Sequence, residues 1–145
     1  MLMRFPIMQL SKIQGTVHIE SKADRFGLCT LKTLKQGYFD DMLVVDSDGG
    51  HFTIRGVKKI SPMNKFWHWP IEYLLYSSRL FRAEFAVSAG ESVSSEELKN
   101  TVVSLIRHRP NLWGSSAEVD ALCEKVKLAA GPADVVKLIS EVAGR

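Results

Sequence analysis

The residues in this chain that are best suited to chemistry form a basic and aromatic segment in its middle. Tryptophan and tyrosine beside lysine and arginine are what single-stranded nucleic-acid binding uses, through base stacking and phosphate contacts. A groove lined by aromatic side chains is equally typical of a module that binds a peptide. The candidate binding residues are Arg55, Lys58, Lys59, Lys65, Trp67, His68, Trp69 and Tyr73. In a purely structural interpretation, Trp67 and Trp69 close the core between a sheet and helices.

Acidic and nucleophilic residues give a weaker indication of catalysis. Asp40 and Asp41 are adjacent carboxylates that could act with a histidine brought close by folding, but adjacent acids before a strand are more often solvated turn residues. The chain has no Gly-x-Ser-x-Gly elbow, no glycine-rich phosphate loop and no zinc-motif spacing of histidine and cysteine. We therefore predict no metal and no other cofactor, and we favour a non-catalytic protein over an enzyme.

Composition and charge narrow the class of protein. The 145 residues are 46% apolar and 24% charged, an ordinary globular composition that excludes a disordered tail or a fibre. The net charge of +3 is too small to indicate nucleic acid without a clustered basic stripe. No window approaches the 18 apolar residues of a membrane span, so we predict no membrane contact. Cys29 and Cys123 lie far apart, which favours two free thiols and a cytoplasmic location.

A shift in composition near Gly90 predicts two parts. Residues 1–90 hold 12 basic and 8 acidic residues and 12 of the 13 aromatic residues. Residues 91–145 hold 7 basic and 8 acidic residues, and Trp113 is their one aromatic residue. We predict a β-rich aromatic subdomain over 1–90 and a helical subdomain over 91–145 packed on its sheet, together forming one compact unit.

Alternating apolar residues predict five or six short strands in the first part. The predicted strands cover 12–20, with Ile13 on its apolar face, and 28–34, 71–76 and 80–88. The best local signal is a β-hairpin, in which an apolar run at 42–45 and alternating residues at 51–60 flank an Asp- and Gly-rich turn at 46–50. Gly56 breaks the alternation and predicts a β-bulge. Together these strands predict a small antiparallel β-barrel or bent sheet.

The hairpin sequence from Asp41 to Arg55 resembles, in shape, a pair of strands from an SH3-like small barrel. After Gly90 the apolar period becomes helical and predicts three helices. Ser94 and Glu97 have capping-box spacing at the start of the first helix, and Pro110 ends it. The second helix begins at Ser115 and the third at 131–132. The predicted fold class is therefore α+β, an SH3-like sheet or barrel followed by three helices.

From these patterns we predict a non-catalytic protein-interaction module, of an inhibitor, immunity-protein or adaptor type. Bacterial inhibitor and immunity proteins share this size and lack of motifs, although a mildly basic chain suits the inhibition of a basic nuclease poorly. The alternative is RNA or single-stranded nucleic-acid binding through the basic and aromatic segment. A small enzyme using Asp40, Asp41 and a histidine is the third hypothesis. The expected partner is another protein, and nucleic acid is the second choice.

Overall fold

The computed structural model describes residues 3–11, 13–30, 33, 36–62, 80–89 and 93–143. These segments contain six strands: β1 (Ile7–Ser11), β2 (Thr16–Glu20), β3 (Leu28–Thr30), β4 (Leu43–Val45), β5 (His51–Pro62) and β6 (Leu80–Ala89). They also contain three α-helices: α1 (Ser95–His108), α2 (Ser116–Leu128) and α3 (Pro132–Ala143). The strand predicted over 71–76 lies outside the described residues.

The six strands form one antiparallel sheet that curls into a half-barrel, and the three helices follow it. This confirms the predicted α+β class and the bent antiparallel sheet. The strand order is β2-β1-β4-β5-β6-β3, so β2 and β3 are the two edges. β2 and β3 are close in sequence, yet the whole width of the sheet separates them along the hydrogen-bonded ladder.

The N-terminal part of the sheet differs from the prediction. Residues 7–11 form β1, a central strand that was not predicted; all five of its residues are buried, the polar Gln9 and Ser11 among them, and a strand buried on both faces lacks the regular alternation of a half-buried one. Ile13 was predicted on the apolar face of a strand, but it lies in the turn between β1 and β2 and is 59% exposed. Gly15 allows that turn because its φ is +66°.

The predicted hairpin is confirmed as β4 and β5. Asp46 holds its turn, since the backbone amides of Asp48 and Gly50 donate to Asp46 Oδ1 at 3.0 and 2.8 Å. The predicted bulge is also confirmed, because the register of β5 against β6 shifts between Ile54 and Gly56. A second shift follows between 57 and 59.

Two of the three helices begin directly after the serine caps that the sequence predicted. The Ser94 hydroxyl accepts from the backbone amide of Glu97 at 3.2 Å. A complete capping box starts α2, where Ser115 and Glu118 each bond the other's backbone. The apolar face of α1 contacts β2 and that of α3 contacts β1, β2 and β4, while α2 packs on α1 and α3. Gly90, the predicted boundary, lies outside the described residues.

Two separate clusters of buried side chains occupy the two faces of the sheet. The outer core lies between the sheet and the helices; from the sheet it contains Met8, Leu10 and Val45. The inner core fills the curl of the half-barrel and contains side chains from β1, β3, β4, β5 and β6, including Ile7, Val44 and Phe85. Strand alternation explains the division, since Ile7 and Met8 point to opposite faces of β1.

Candidate functional site

An open groove lies beside the inner core, and three phenylalanines are among its lining residues. Its volume is about 520 Å³, a size typical of ligand or side-chain binding sites. We call it the aromatic groove, and its lining residues are Met3, Phe5, Ala23, Phe26, Lys58, Glu84, Phe85 and Val87. These residues come from the chain before β1, the 3-10 turn Ala23–Arg25 and its neighbour, β5 and β6. Folding therefore assembles the groove from segments that are distant in sequence.

Ring contacts hold the aromatic side chains of the groove in place. Phe26 makes edge-to-face contacts with Phe5 and Phe85, at centroid distances of 6.3 and 5.4 Å. Phe85 in turn contacts Phe39 at 4.7 Å, and Phe39 contacts Tyr38 at 4.9 Å. The groove is thus the outer end of a continuous row of rings that passes through the inner core. A surface fixed in this way loses little side-chain entropy when it binds a partner.

Charges of both signs border the groove and the strand beside it. Lys58 and Glu84 both line the groove and are exposed. Arg55, on the same strand as Lys58, donates to Ser88 Oγ at 3.0 Å and lies 3.9 Å from the Asp41 carboxylate. The described basic residues of β5 are therefore interleaved with carboxylates rather than gathered into a basic stripe.

A second pocket lies in the opening of the half-barrel, where the edges β2 and β3 face each other. Its volume is about 270 Å³. We call it the edge pocket, and it is lined by Gln9, His18, Glu20, Arg25, Gly27, Leu28, Cys29, Thr33, Tyr38 and Phe39. Six of these ten residues have polar or charged side chains, against two of the eight that line the aromatic groove. The contact between Phe39 and Phe85 joins the two sites through the inner core.

Cys29 is the one thiol among the residues that line these two sites. Burial raises the pKa of Cys29 to about 11, because a low-polarity environment disfavours the thiolate. The side chain therefore remains a neutral thiol at neutral pH. A nucleophilic cysteine needs a lowered pKa, so Cys29 is suited to lining a wall and not to attacking a substrate.

The predicted site residues lie in different parts of the chain's structure, and several lie outside the described residues. Lys58 lies in the aromatic groove, and Arg55 lies on the same strand but is bonded to Ser88. Lys59 occupies β5 opposite Glu84 in the register. The remaining predicted residues, Lys65, Trp67, His68, Trp69 and Tyr73, lie outside the described residues. Whether the tryptophans close the core or form an interface thus stays a prediction.

The described geometry gives the hypothesis of acid–base catalysis no support. The Asp41 side chain is 82% exposed and is paired with Arg55, and Asp40 is exposed in the turn before it. In the described segments, neither carboxylate makes an ion pair with a histidine. His18 on β2 and His51 on β5 are also separated by β1 and β4. Within the same segments, no group of three histidine, cysteine or acidic side chains is arranged to hold a metal ion.

Most of the groove and pocket residues were not identified from the sequence. Phe5 and Gln9 precede the first predicted strand at 12–20, and Phe26 lies between the predicted strands 12–20 and 28–34. Two signals in the sequence could have pointed to these residues. Gln9 is a polar residue in the otherwise apolar run 7–10. Phe26 is followed by Gly27, and a glycine beside a strand often marks a close approach of two backbones.

Comparison with known protein families, curated proteins and solved structures finds no match to this chain. The likeness of the hairpin to an SH3-like barrel therefore stays a prediction. Of the helices in the described segments, none has both the length and the apolar character needed to cross a bilayer. Both cysteines are free, as predicted, and both are buried. Function has to be argued from the two sites themselves.

Proposed function

We propose that the chain is a non-catalytic protein-interaction module whose partner binds in the aromatic groove. The observation that carries this proposal is an open, ring-lined groove of about 520 Å³ with a cation and an anion on its border. Aromatic anchors in a preformed concave surface are the side chains that contribute most to protein interfaces. The two free, buried cysteines are consistent with a reducing, cytoplasmic location, which is part of the same proposal.

The charges favour a protein partner over nucleic acid. Glu84 lies in the groove with Lys58, and Asp41 lies beside Arg55, so a phosphate backbone that approached either basic residue would also meet a carboxylate. A peptide can satisfy both signs. The occupant we propose is an extended segment of a partner protein, which places an apolar or aromatic side chain against Phe26 and flanks it with one acidic and one basic residue.

The test selects peptides from a displayed random library on the wild-type chain. A counter-selection on the double charge-reversal variant Lys58→Glu, Glu84→Lys removes peptides that bind elsewhere. Both side chains are exposed, so the variant is expected to fold normally. The expected peptides carry an apolar anchor between opposite charges and bind the variant about tenfold or more weakly.

Two controls make the result specific to the groove. Lys125→Glu, an exposed substitution on α2, should leave peptide affinity unchanged. A peptide with its two charges exchanged should recover affinity for the double variant. The proposal is overturned if no peptide depends on Lys58 and Glu84. It is also overturned if a labelled single-stranded oligonucleotide occupies the groove with an affinity that falls steeply with salt, which would favour the nucleic-acid alternative.

A further inference from the structure

We infer that the edge pocket is a second binding site, and that its ligand is a small zwitterion of the α-amino-acid class. Its volume of about 270 Å³ lies just below the range of cavities that hold drug-sized molecules, so it suits a small metabolite. The two edge strands of the half-barrel supply its opposite walls. The pocket is therefore formed by the curvature of the sheet, and its ligand would fill the gap that the open barrel leaves.

A buried amide is the first argument for a ligand. Gln9 is only 5% exposed, lines the pocket and lies opposite Val44 in the sheet. Its Nε2 donates to the Met42 sulfur at 3.4 Å, and a thioether is a weak acceptor. Burying an amide without a strong hydrogen bond lowers stability, so an apolar residue would stabilise this position better. We infer that Gln9 serves to bind a polar ligand group.

The charges around the pocket specify the chemistry of that ligand. Glu20, on the β2 wall, has a side chain that is only 14% exposed, and its Oε2 lies 3.8 Å from His18 Nε2. Its Oε1 accepts from the backbone amide of Lys22 at 3.2 Å, which fixes the orientation of the carboxylate. Arg25 also lines the pocket, from the end of the 3-10 turn before β3. An ammonium group suits Glu20, and a carboxylate suits Arg25.

The remaining walls are suited to binding without reaction. The Cys29 thiol is neutral at physiological pH and adds no third charge that would compete for either end of a zwitterion. Phe39 and Leu28 supply apolar surface for a ligand side chain. A free amino acid therefore meets an anion, a cation, an amide and an apolar wall within one pocket.

The experiment measures binding of each free amino acid to the full chain by ligand-observed NMR and by thermal shift. At least one amino acid should bind, while its α-hydroxy-acid analogue, its amine analogue and its acetylated and amidated form should not. Gln9→Met keeps the side-chain volume and removes the amide. This variant should melt at the same or a higher temperature and bind the amino acid about tenfold or more weakly.

Further variants separate this proposal from the aromatic-groove proposal. Glu20→Gln should weaken binding of the amino acid, whereas Lys58→Glu, in the groove, should leave it unchanged. The inference is wrong if no free amino acid binds, or if the blocked forms bind as well as the free ones. It is also wrong if Gln9→Met melts normally and retains full affinity. Loss of peptide binding at the groove would affect none of these results.

Discussion

On the outer face, the helices cover the β2-β1-β4 part of the sheet through a core whose buried side chains include no aromatic ring, whereas the inner face surrounds phenylalanine rings and opens to solvent. The outer core holds leucine, valine, isoleucine and methionine side chains, many of them fully buried, in the close packing that stabilises a fold. The inner core contains Phe39, Phe52 and Phe85 and is flanked by the groove and the edge pocket. The same six strands thus have one face devoted to stability and one face available for binding.

The largest expected effect comes from the closed outer face. Leu98→Ala removes a fully buried side chain from α1 and should lower the free energy of unfolding by about 2–5 kcal/mol, because the close-packed helices cannot collapse into the space. Urea unfolding measures the change. Leu128→Ala on α2 is the matched control, since Leu128 is 82% exposed and should change stability little. Equal effects of the two substitutions would contradict the description of the outer core.

A smaller effect is expected at the edge of the half-barrel. Gly27 has a φ of +89° and its carbonyl accepts from the Ala83 amide at 2.9 Å. Gly27→Ala should destabilise the chain by about 1–3 kcal/mol, because the new Cβ would collide with the Ala83 carbonyl oxygen in a strained conformation. Thermal unfolding checks this value, and hydrogen exchange should show the loss of protection concentrated in β3 and β6.

Gly56→Ala is the matched glycine control for this edge. A Cβ at Gly56 meets no atom within 4 Å, and its φ lies outside the left-handed region. The substitution should change the free energy of unfolding by about 0.5 kcal/mol or less. If Gly27→Ala were as well tolerated as Gly56→Ala, the inner edge would be more adaptable than its backbone contacts indicate.

The last effect concerns the polarity of the edge pocket, is absent at neutral pH and appears only at alkaline pH. Burial raises the pKa of Cys29 to about 11 from an ordinary value of 9.0, so the folded chain keeps this proton when the unfolded chain has lost it. The contribution to stability is complete below pH 9 and is lost as the pH rises toward 11. The measurement compares the pH dependence of stability for the wild type and Cys29→Ala, so that lysine and tyrosine titration cancels.

Alkylation of Cys29 should also remain slow at neutral pH. Rapid alkylation at pH 7 would show that the pocket is more hydrated than its walls suggest.

Local patterns predicted the parts of the fold that depend on neighbouring residues. The turn at Asp46 predicted the hairpin, because the carboxylate of Asp46 bonds backbone amides within five residues of it. The caps at Ser94 and Ser115 predicted two helix starts for the same reason. β1 was missed because strands buried on both faces lose the alternation that distinguishes them. The predicted strand over 28–34 is confirmed at Leu28–Thr30, whereas Thr33 is helical.

The binding sites were less accessible to sequence reasoning than the fold. Lys58 was predicted as a binding residue because it is charged and near aromatic residues in the chain; it lies in the groove, and its role in binding stays a prediction. Phe5, Phe26 and Phe85 meet there from three distant segments, and no spacing along the chain reports such a meeting. Only the buried position of Gln9 shows that its amide differs from the many exposed amides of a surface.

The sequence by itself determined the elements with a local cause: an antiparallel hairpin with a bulge at Gly56, and three amphipathic helices after Gly90, two of them with serine caps. Tertiary structure alone decided the strand order that makes β2 and β3 the two edges of the sheet, and that the edge pocket and the aromatic groove form beside the inner core. The physical reason is the range of the interactions. Caps and turns are stabilised by hydrogen bonds between residues a few positions apart, whereas a pocket is space enclosed by side chains whose proximity depends on the packing of the whole chain.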